Sequence, residues 1–303
     1  MPHPKPLPSA LVGKPFSVAE ALREGASPGR LRARDLDAPF QGVRTFTRGA
    51  SSFVERVRAV APRLRDGDAV SHLAALALVG ADAIGGPSAM VDVCSRAPLA
   101  RMRARGVRGH QITDRSVRVG AVAGVPAVHP VDAWCQLASD HSVRELVIVG
   151  DALVRRQNPV ADREELRRAT AQWSGRRGAK RLREAEALVR QGTDSPRETR
   201  LRLDAAGHGL PEPVVNHPVY DETGRLVAIL DLAYPEYRVG LEYDGDHHRT
   251  DDGQYYRDIE RLDALARLGW RHIRVTREHR GIRLSLVLSR VSDALRDRGW
   301  RPG

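Results

Sequence analysis

Residues Asp231 to His248 read DLAYPEYRVGLEYDGDHH, two short runs of strand-forming residues around a Pro-Glu pair. Strands meeting at Tyr234-Pro235-Glu236-Tyr237 are expected to form a hairpin with Asp231 roughly opposite Gly240 and Glu242 diagonally across from Asp231. Alternation then gathers Asp231, Glu242 and Asp244 on one face. Two ionised carboxylates about 4 Å apart repel by roughly 4 kcal/mol at an effective dielectric of ~20. A fold that converges them has to hold a proton or a cation, and an oxygen-rich site suits Mg²⁺ or Mn²⁺. The competing reading is a solvated hairpin face, as in many half-buried sheets.

Upstream, SPRETRLRL from Ser195 has a capping serine, Pro196 at the first helical position and Glu198 three residues after the cap. Ser-x-x-Glu is the capping-box pattern and accounts for Glu198 structurally, while a role as an outer metal ligand stays open. The turn Asp221-Glu222-Thr223-Gly224 leads into RLVAILDLAY. Downstream, a helix carries Ile259, Leu262, Leu265 and Ala266 on one face and Arg257 and Arg261 on another, and RHIRVT reads as a buried strand. The expected order is helix, hairpin, helix, strand, helix.

That order, with DLAYPEY, EYDGDHH, Arg257-Asp258-x-x-Arg261-Leu262 and Leu268-Gly269-Trp270, resembles the restriction-endonuclease-like superfamily with the PD-(D/E)XK motif. It is most similar to endonuclease-domain families related to very-short-patch repair endonuclease, over roughly Ser195 to Arg298. The resemblance implies a mixed sheet flanked by helices, Asp231 and Glu242 as metal ligands, Glu198 as the helix acid, and His248 or His247 as base or phosphate contact. Where the motif ends in lysine this chain has Asp244, and no lysine follows Lys180. His247, His248, Arg257 or Arg261 must then supply the positive charge, or metal alone must suffice.

The chain has 303 residues, a net charge of +11 and 41% hydrophobic residues, which fits a globular protein of two or three domains. The charge favours a polyanionic partner such as DNA. Lys5, Lys14 and Lys180 are the only lysines, so the excess is nearly all arginine. No apolar run is long enough for a membrane span, and the start lacks signal-peptide features, so a cytoplasmic protein without membrane contact is expected. Cys94 and Cys135 lack zinc-ligand spacing and read as buried small hydrophobes. No Gly-rich phosphate loop and no nucleophile elbow is present.

The fold class expected is α/β (α+β), in four parts. Residues 1–15 are Pro-rich and read as a flexible arm. Residues 16–50 read as a small winged helix-turn-helix: Ser17 caps a first helix that Gly25 ends, Ser27 caps a second over Pro28 to Arg34, and Gly42-Val43-Arg44 forms a strand. This segment, over about Phe16 to Phe46, is similar to the winged-helix domain of type IV (abortive infection) antitoxins. Arg30, Arg32 and Arg34 would face DNA phosphates or base edges, or else form a solvated arginine face. Residues 51–190 are a mixed α/β middle region with an apolar helix at 69–81, strands at 91–95 and 117–128, two helices from Val131, and a basic helix at 175–190. His72, His110, His129 and His141 are scattered and read as core or cap residues. Residues 195–303 are the nuclease-like domain.

The leading expectation is a magnesium-dependent deoxyribonuclease acting in DNA repair or in phage or plasmid defence. Mg²⁺ on Asp231 and Glu242 would polarise a phosphate, His248 would relay a proton, and Arg257 and Arg261 would neutralise developing charge. For these arginines the alternative is pairing with Asp258, Glu260 or Asp263 on the same helix. The alternative function is a non-catalytic DNA-binding regulator or antitoxin with a cognate toxin as partner. An RNA- or protein-binding accessory factor is a third reading.

Overall fold

A computed structural model describes residues 4–46, 52–84, 90–244 and 252–302. The chain divides into two compact units, Met1–Leu153 with Val160–Ala187, and Val154–Pro159 with Leu188–Gly303. The class is mixed α/β, with ten α-helices and three sheets among the described residues.

In the first unit a 3-10 turn at Ser9–Leu11 precedes β1 (Phe16–Ser17) and α1 (Val18–Arg23). The described part of the Pro-rich start is not a free arm. Leu7 and Leu11 pack with Phe16, Ala21 and Leu31, and Leu11 is fully buried, so apolar contact holds the segment despite its prolines. Ser17 caps α1 as expected, its Oγ accepting from the amide of Glu20 at 3.0 Å.

The expected second helix is only a 3-10 turn, Arg30–Arg32, before β2 (Val43–Arg44) pairs antiparallel with β1. Ser27 Oγ does accept from the amide of Arg30, at 3.2 Å. The chain then turns extended at Ala33, and Asp35 takes the Arg30 guanidinium in a two-pronged pair at 2.8 and 2.6 Å. Such a bidentate pair anchors the turn more firmly than propensity extends the helix. Arg30 is thus buried, not presented to a polyanion, whereas Arg32 and Arg34 are exposed.

The unit continues through α2 (Phe53–Val60), β3 (Asp68–Val70), α3 (His72–Ala77), β4 (Val91–Arg96), β5 (Val107–Ile112) and the hairpin β6 (Val119–Val122) and β7 (Val125–Val128). These strands form a sheet in the order β5-β4-β3-β7-β6. The helix expected over 69–81 is divided, because Asp68–Val70 pair with β4 and the Ser71 amide bonds to the Asp92 carbonyl. Four helices follow, α4 (Pro130–Leu137), α5 (Val143–Leu153), α6 (Arg163–Gln172) and α7 (Ala179–Leu188). Trp134, fully buried on α4, donates its indole N–H to the Leu146 carbonyl at 2.8 Å. Cys94 and Cys135 are buried free thiols, and burial raises the pKa of both.

The second unit runs α8 (Pro196–Gly207), β8 (Val214–Tyr220), β9 (Leu226–Tyr234), β10 (Val239–Asp244), α9 (Asp252–Arg267), β11 (Arg271–Thr276) and α10 (Ile282–Arg296). Its sheet order is β11-β10-β9-β8, antiparallel except for the parallel pair β10 and β11. A parallel pair needs a crossover, and α9 provides it. Leu232, Tyr234, Leu241, Ile273 and Val275 pack with α8 and α10 residues such as Leu201 and Val291. Val219, Ala228, Leu230 and Ala233 pack with Leu265 of α9. The sheet is therefore covered by helices, and its polar positions cluster near the end of β10.

Replacing Arg30 by alanine leaves Asp35 without its bidentate partner in a mostly buried setting and should cost about 2–3 kcal/mol. Arg32→Ala should stay within about 0.5 kcal/mol of the parent. Urea midpoints of the two variants measure the contrast.

Candidate functional site

The hairpin register differs from expectation by two residues: Gly240 is paired with Ala233, and Leu241 with Leu232. A longer connection, the 3-10 turn Pro235–Tyr237 closed by Arg238 in the left-handed region, sets that register. Continued, it brings Asp231 level with Glu242. Beyond the last strand pair, however, a side chain takes over: Asp231 Oδ2 accepts from the Tyr243 amide at 2.7 Å.

Asp231 is only partly accessible, and its pKa is raised to about 7. Burial is the main cause, opposed by the Tyr243 amide and reinforced by the negative charges of Glu198, Glu242 and Asp194. Glu198 lies in the first turn of α8 and is 5% exposed. Its Oε2 accepts from the amide of Asp194 at 2.8 Å and from Asn216 Nδ2 at 2.9 Å. Ser195 caps α8 as the sequence predicts, but Glu198 takes the amide of Asp194, one residue before the cap, and Asn216 of β8, so the reciprocal half of the capping box is replaced by these bonds. Asn216, in the left-handed region, also donates to the Gly192 carbonyl at 2.8 Å.

Glu242 has the opposite electrostatics. Burial pushes its carboxyl up, but hydrogen bonds from His272 and Arg261 and their charges outweigh this and bring the pKa down to about 2. Arg261 Nη1 lies 2.8 and 3.0 Å from its two oxygens, and His272 Nε2 lies 2.8 Å from Oε2. The parallel register sets Gly240 beside His272 and Glu242 beside Arg274, so alternation aims His272 at the acid face while Ile273 and Val275 enter the core. Asp244, at the end of β10, pairs with Arg274 at 3.3 Å. Arg257 is on the exposed side of α9, and Arg261 also contacts Asp258 at 3.6 Å. His247 and His248 lie outside the described residues.

The structure therefore brings Glu198, Asp231 and Glu242 into one electrostatic group. His272 and Asn216 belong to it without having been expected. For His272 the signal was in the sequence, since His272 and Arg274 are the polar alternates of RHIRVT. Asn216 gave none, because its role depends on an irregularity of β8. A further feature of this unit is Arg197, an exposed first-turn residue of α8 whose guanidinium lies 5.1 Å from the centre of the Tyr243 ring.

The trio of possible ligands whose donor atoms come within 4.8 Å of one another among the described residues is elsewhere, in the first unit: His72, Asp92 and His110. This group could hold a metal ion. The expectation that these histidines are only core or cap residues missed it, since His72 and His110 stand 38 positions apart in the chain. His129 does stand at the N-cap of α4, and His141 pairs with Glu145 at 3.6 Å.

No protein-family model matches the chain, and no solved structure matches it. It is similar to two uncharacterized proteins of Mycobacterium tuberculosis, MT2308 of strain CDC 1551 / Oshkosh and Rv2248 of strain ATCC 25618 / H37Rv. Each is 31% identical over 176 residues, 57% of this chain. The chain spans 62% of the length of these relatives. No helix among the described residues is long and apolar enough to cross a membrane.

The Asp231 carboxyl holds its proton more tightly in the folded protein (pKa about 7) than in the unfolded chain, where about 3.9 is usual. Between those values the folded state binds more protons, so this group makes stability fall as pH rises from about 4 to about 7. Asp231→Asn should accordingly be near neutral at about pH 4 and stabilising by on the order of 2–4 kcal/mol at about pH 8. Paired denaturation curves test this, and the wild-type carboxyl should titrate near 7 by carbon-13 NMR.

Proposed function

We propose that this chain is a metal-dependent DNA endonuclease whose reaction centre is the group Glu198, Asp231 and Glu242 of the second unit. The observation that carries the reading is the setting of Asp231: a half-buried carboxyl that accepts from the Tyr243 amide in an acidic neighbourhood with Glu198 and Glu242, where burial and those charges push its pKa up to about 7. Surplus negative charge of this kind is relieved by a divalent cation, and strongly shifted acids mark functional sites more often than structural ones. The donor set, carboxylate oxygens alone, suits Mg²⁺ or Mn²⁺. The element order α8-β8-β9-β10-α9-β11 and the mixed, helix-covered sheet agree with what the resemblance to PD-(D/E)XK proteins implies.

Asp231 and Glu242 would hold the cation, with Glu198 behind them. The chemistry that a cation held by these residues would supply is positive charge against a scissile phosphate and a lowered pKa for a coordinated water. Arg261 and His272 keep Glu242 ionised and orient it. Arg257 and Arg197 offer charge to a phosphate backbone. The proton-accepting role falls to His272, or to His247 or His248 beyond the described residues. The net charge of +11 supports a polyanionic substrate.

One feature favours a second reading, a DNA-binding regulator or antitoxin without catalysis and with a toxin as its protein partner. Glu242 already has the Arg261 guanidinium against both its oxygens and the His272 ring at 2.8 Å, and so is compensated without a metal.

Supercoiled plasmid and single-stranded DNA incubated with the full chain in Mg²⁺, Mn²⁺ or EDTA separate the two. The nuclease reading expects metal-dependent nicking that falls by at least about 100-fold in Asp231→Asn and in Glu242→Gln. DNA binding that persists in EDTA, with no nicking by wild type or variants in either metal, would move the assignment to the regulator.

A further inference from the structure

The parallel register of β4 and β5 places Asp92 beside Arg108 and Cys94 beside His110. Asp92 is 2% exposed and accepts from Arg108 Nε at 2.7 Å, while His110 Nε2 lies 2.8 Å from the same oxygen. His72, the first residue of α3, stacks its ring on that of His110 with centroids 4.1 Å apart. Its φ of 49° lies in the left-handed region. For a residue with a β-carbon that conformation is strained, and it persists where the surroundings dictate it. Here they do: the His72 amide donates to Oε1 of the buried Gln136 at 3.1 Å, and Nδ1 lies 3.0 Å from the Oγ of fully buried Ser71.

We infer that His72, Asp92 and His110 form a binding site for a first-row divalent cation of the Zn²⁺ class. Two ligands on one such ion, each about 2.0–2.1 Å from it, stand roughly 3 Å apart. The pair His110 Nε2 and Asp92 Oδ1 is already near that separation at 2.8 Å, and all three donors come within 4.8 Å of one another. Ser71 engages Nδ1 of His72, which directs Nε2 to the ion, the usual arrangement in which the second ring nitrogen is fixed by a hydrogen bond. Arg108 serves Asp92 in the same way. Two imidazoles and one carboxylate favour zinc-like ions over Mg²⁺, which prefers oxygen alone. Three protein ligands leave a fourth position for water or a further ligand. The inference rests on residues of the first unit and is independent of the nuclease reading.

The test is calorimetric titration of the EDTA-stripped full chain with ZnCl₂, beside His72→Ala, His110→Ala and, as control, His217→Ala in β8. The expected result is a site whose affinity falls by at least about 10-fold in each of the first two variants, stays unchanged in the control, and survives excess Mg²⁺. Zn²⁺ should raise the melting temperature of the wild type and fail to do so in His110→Ala. Should a variant not fold, nitrogen-15 spectra of wild-type histidines decide the matter, because Zn²⁺ must shift the His72 and His110 rings. No uptake, uptake equal in all folded variants, or ring shifts confined to other histidines would overturn the site.

Discussion

The amide of Tyr243 and the carboxyl of Asp231 meet at 2.7 Å where backbone pairing between β9 and β10 has ended. This bond positions the acid at the mouth of the sheet, with β11 continuing alongside β10 on the other flank. A carboxyl in that place is removed from much of its water, and the cost of ionising it rises accordingly. The helix acid Glu198 adds to the cost, and it is itself locked by Asn216 and the Asp194 amide. The polar group is thus specified from three directions: the N-terminus of α8, the irregular start of β8 and the end of the hairpin.

Two carboxylates in neighbouring surroundings end up with opposite proton affinities. Both pay desolvation, yet Glu242 receives Arg261 from α9 and His272 from β11, while Asp231 receives, among the described residues, a neutral amide against a background of other acids. Pairs of titratable groups pushed apart in this way divide the labour of acid–base chemistry, one staying ionised and the other exchanging its proton near neutrality. The separation is produced by tertiary neighbours, since the two strands that carry the acids adjoin each other in sequence.

In the first unit, polar groups are likewise decided by what lies across from them. Arg30 stands in a run of arginines that suggests a basic face, but Asp35 folds back and draws it inward, leaving Arg32 and Arg34 outside. Asp68 is buried and satisfied by Arg65 and Ser95, at 2.7 and 2.6 Å respectively. Asp92 is buried in the same sheet and has two histidines beside it as well as its arginine. The contrast separates a closed structural ion pair from a group with donor atoms to spare.

By itself the sequence determined the elements with strong local signals. The Ser195 cap, the turn around Pro235, the helix α9 and the alternating β11 all follow from side-chain periodicity and from cap and turn chemistry, which act within a few residues, although of the apolar face expected on α9 Leu265 is buried while Ile259 and Ala266 are exposed. It also placed Asp231 and Glu242 together, because a hairpin brings near in space what is near in sequence. The register could not be read, since a shift of two residues preserves the face and leaves the alternation unchanged. Only the tertiary structure decided that Arg30 is buried, that Pro-rich residues before Phe16 join a core, that His272 and Asn216 belong with the acids, and that His72, Asp92 and His110 converge. Each of these depends on contacts between distant segments, where burial and charge pairing outweigh local propensity and leave no periodic trace in the chain.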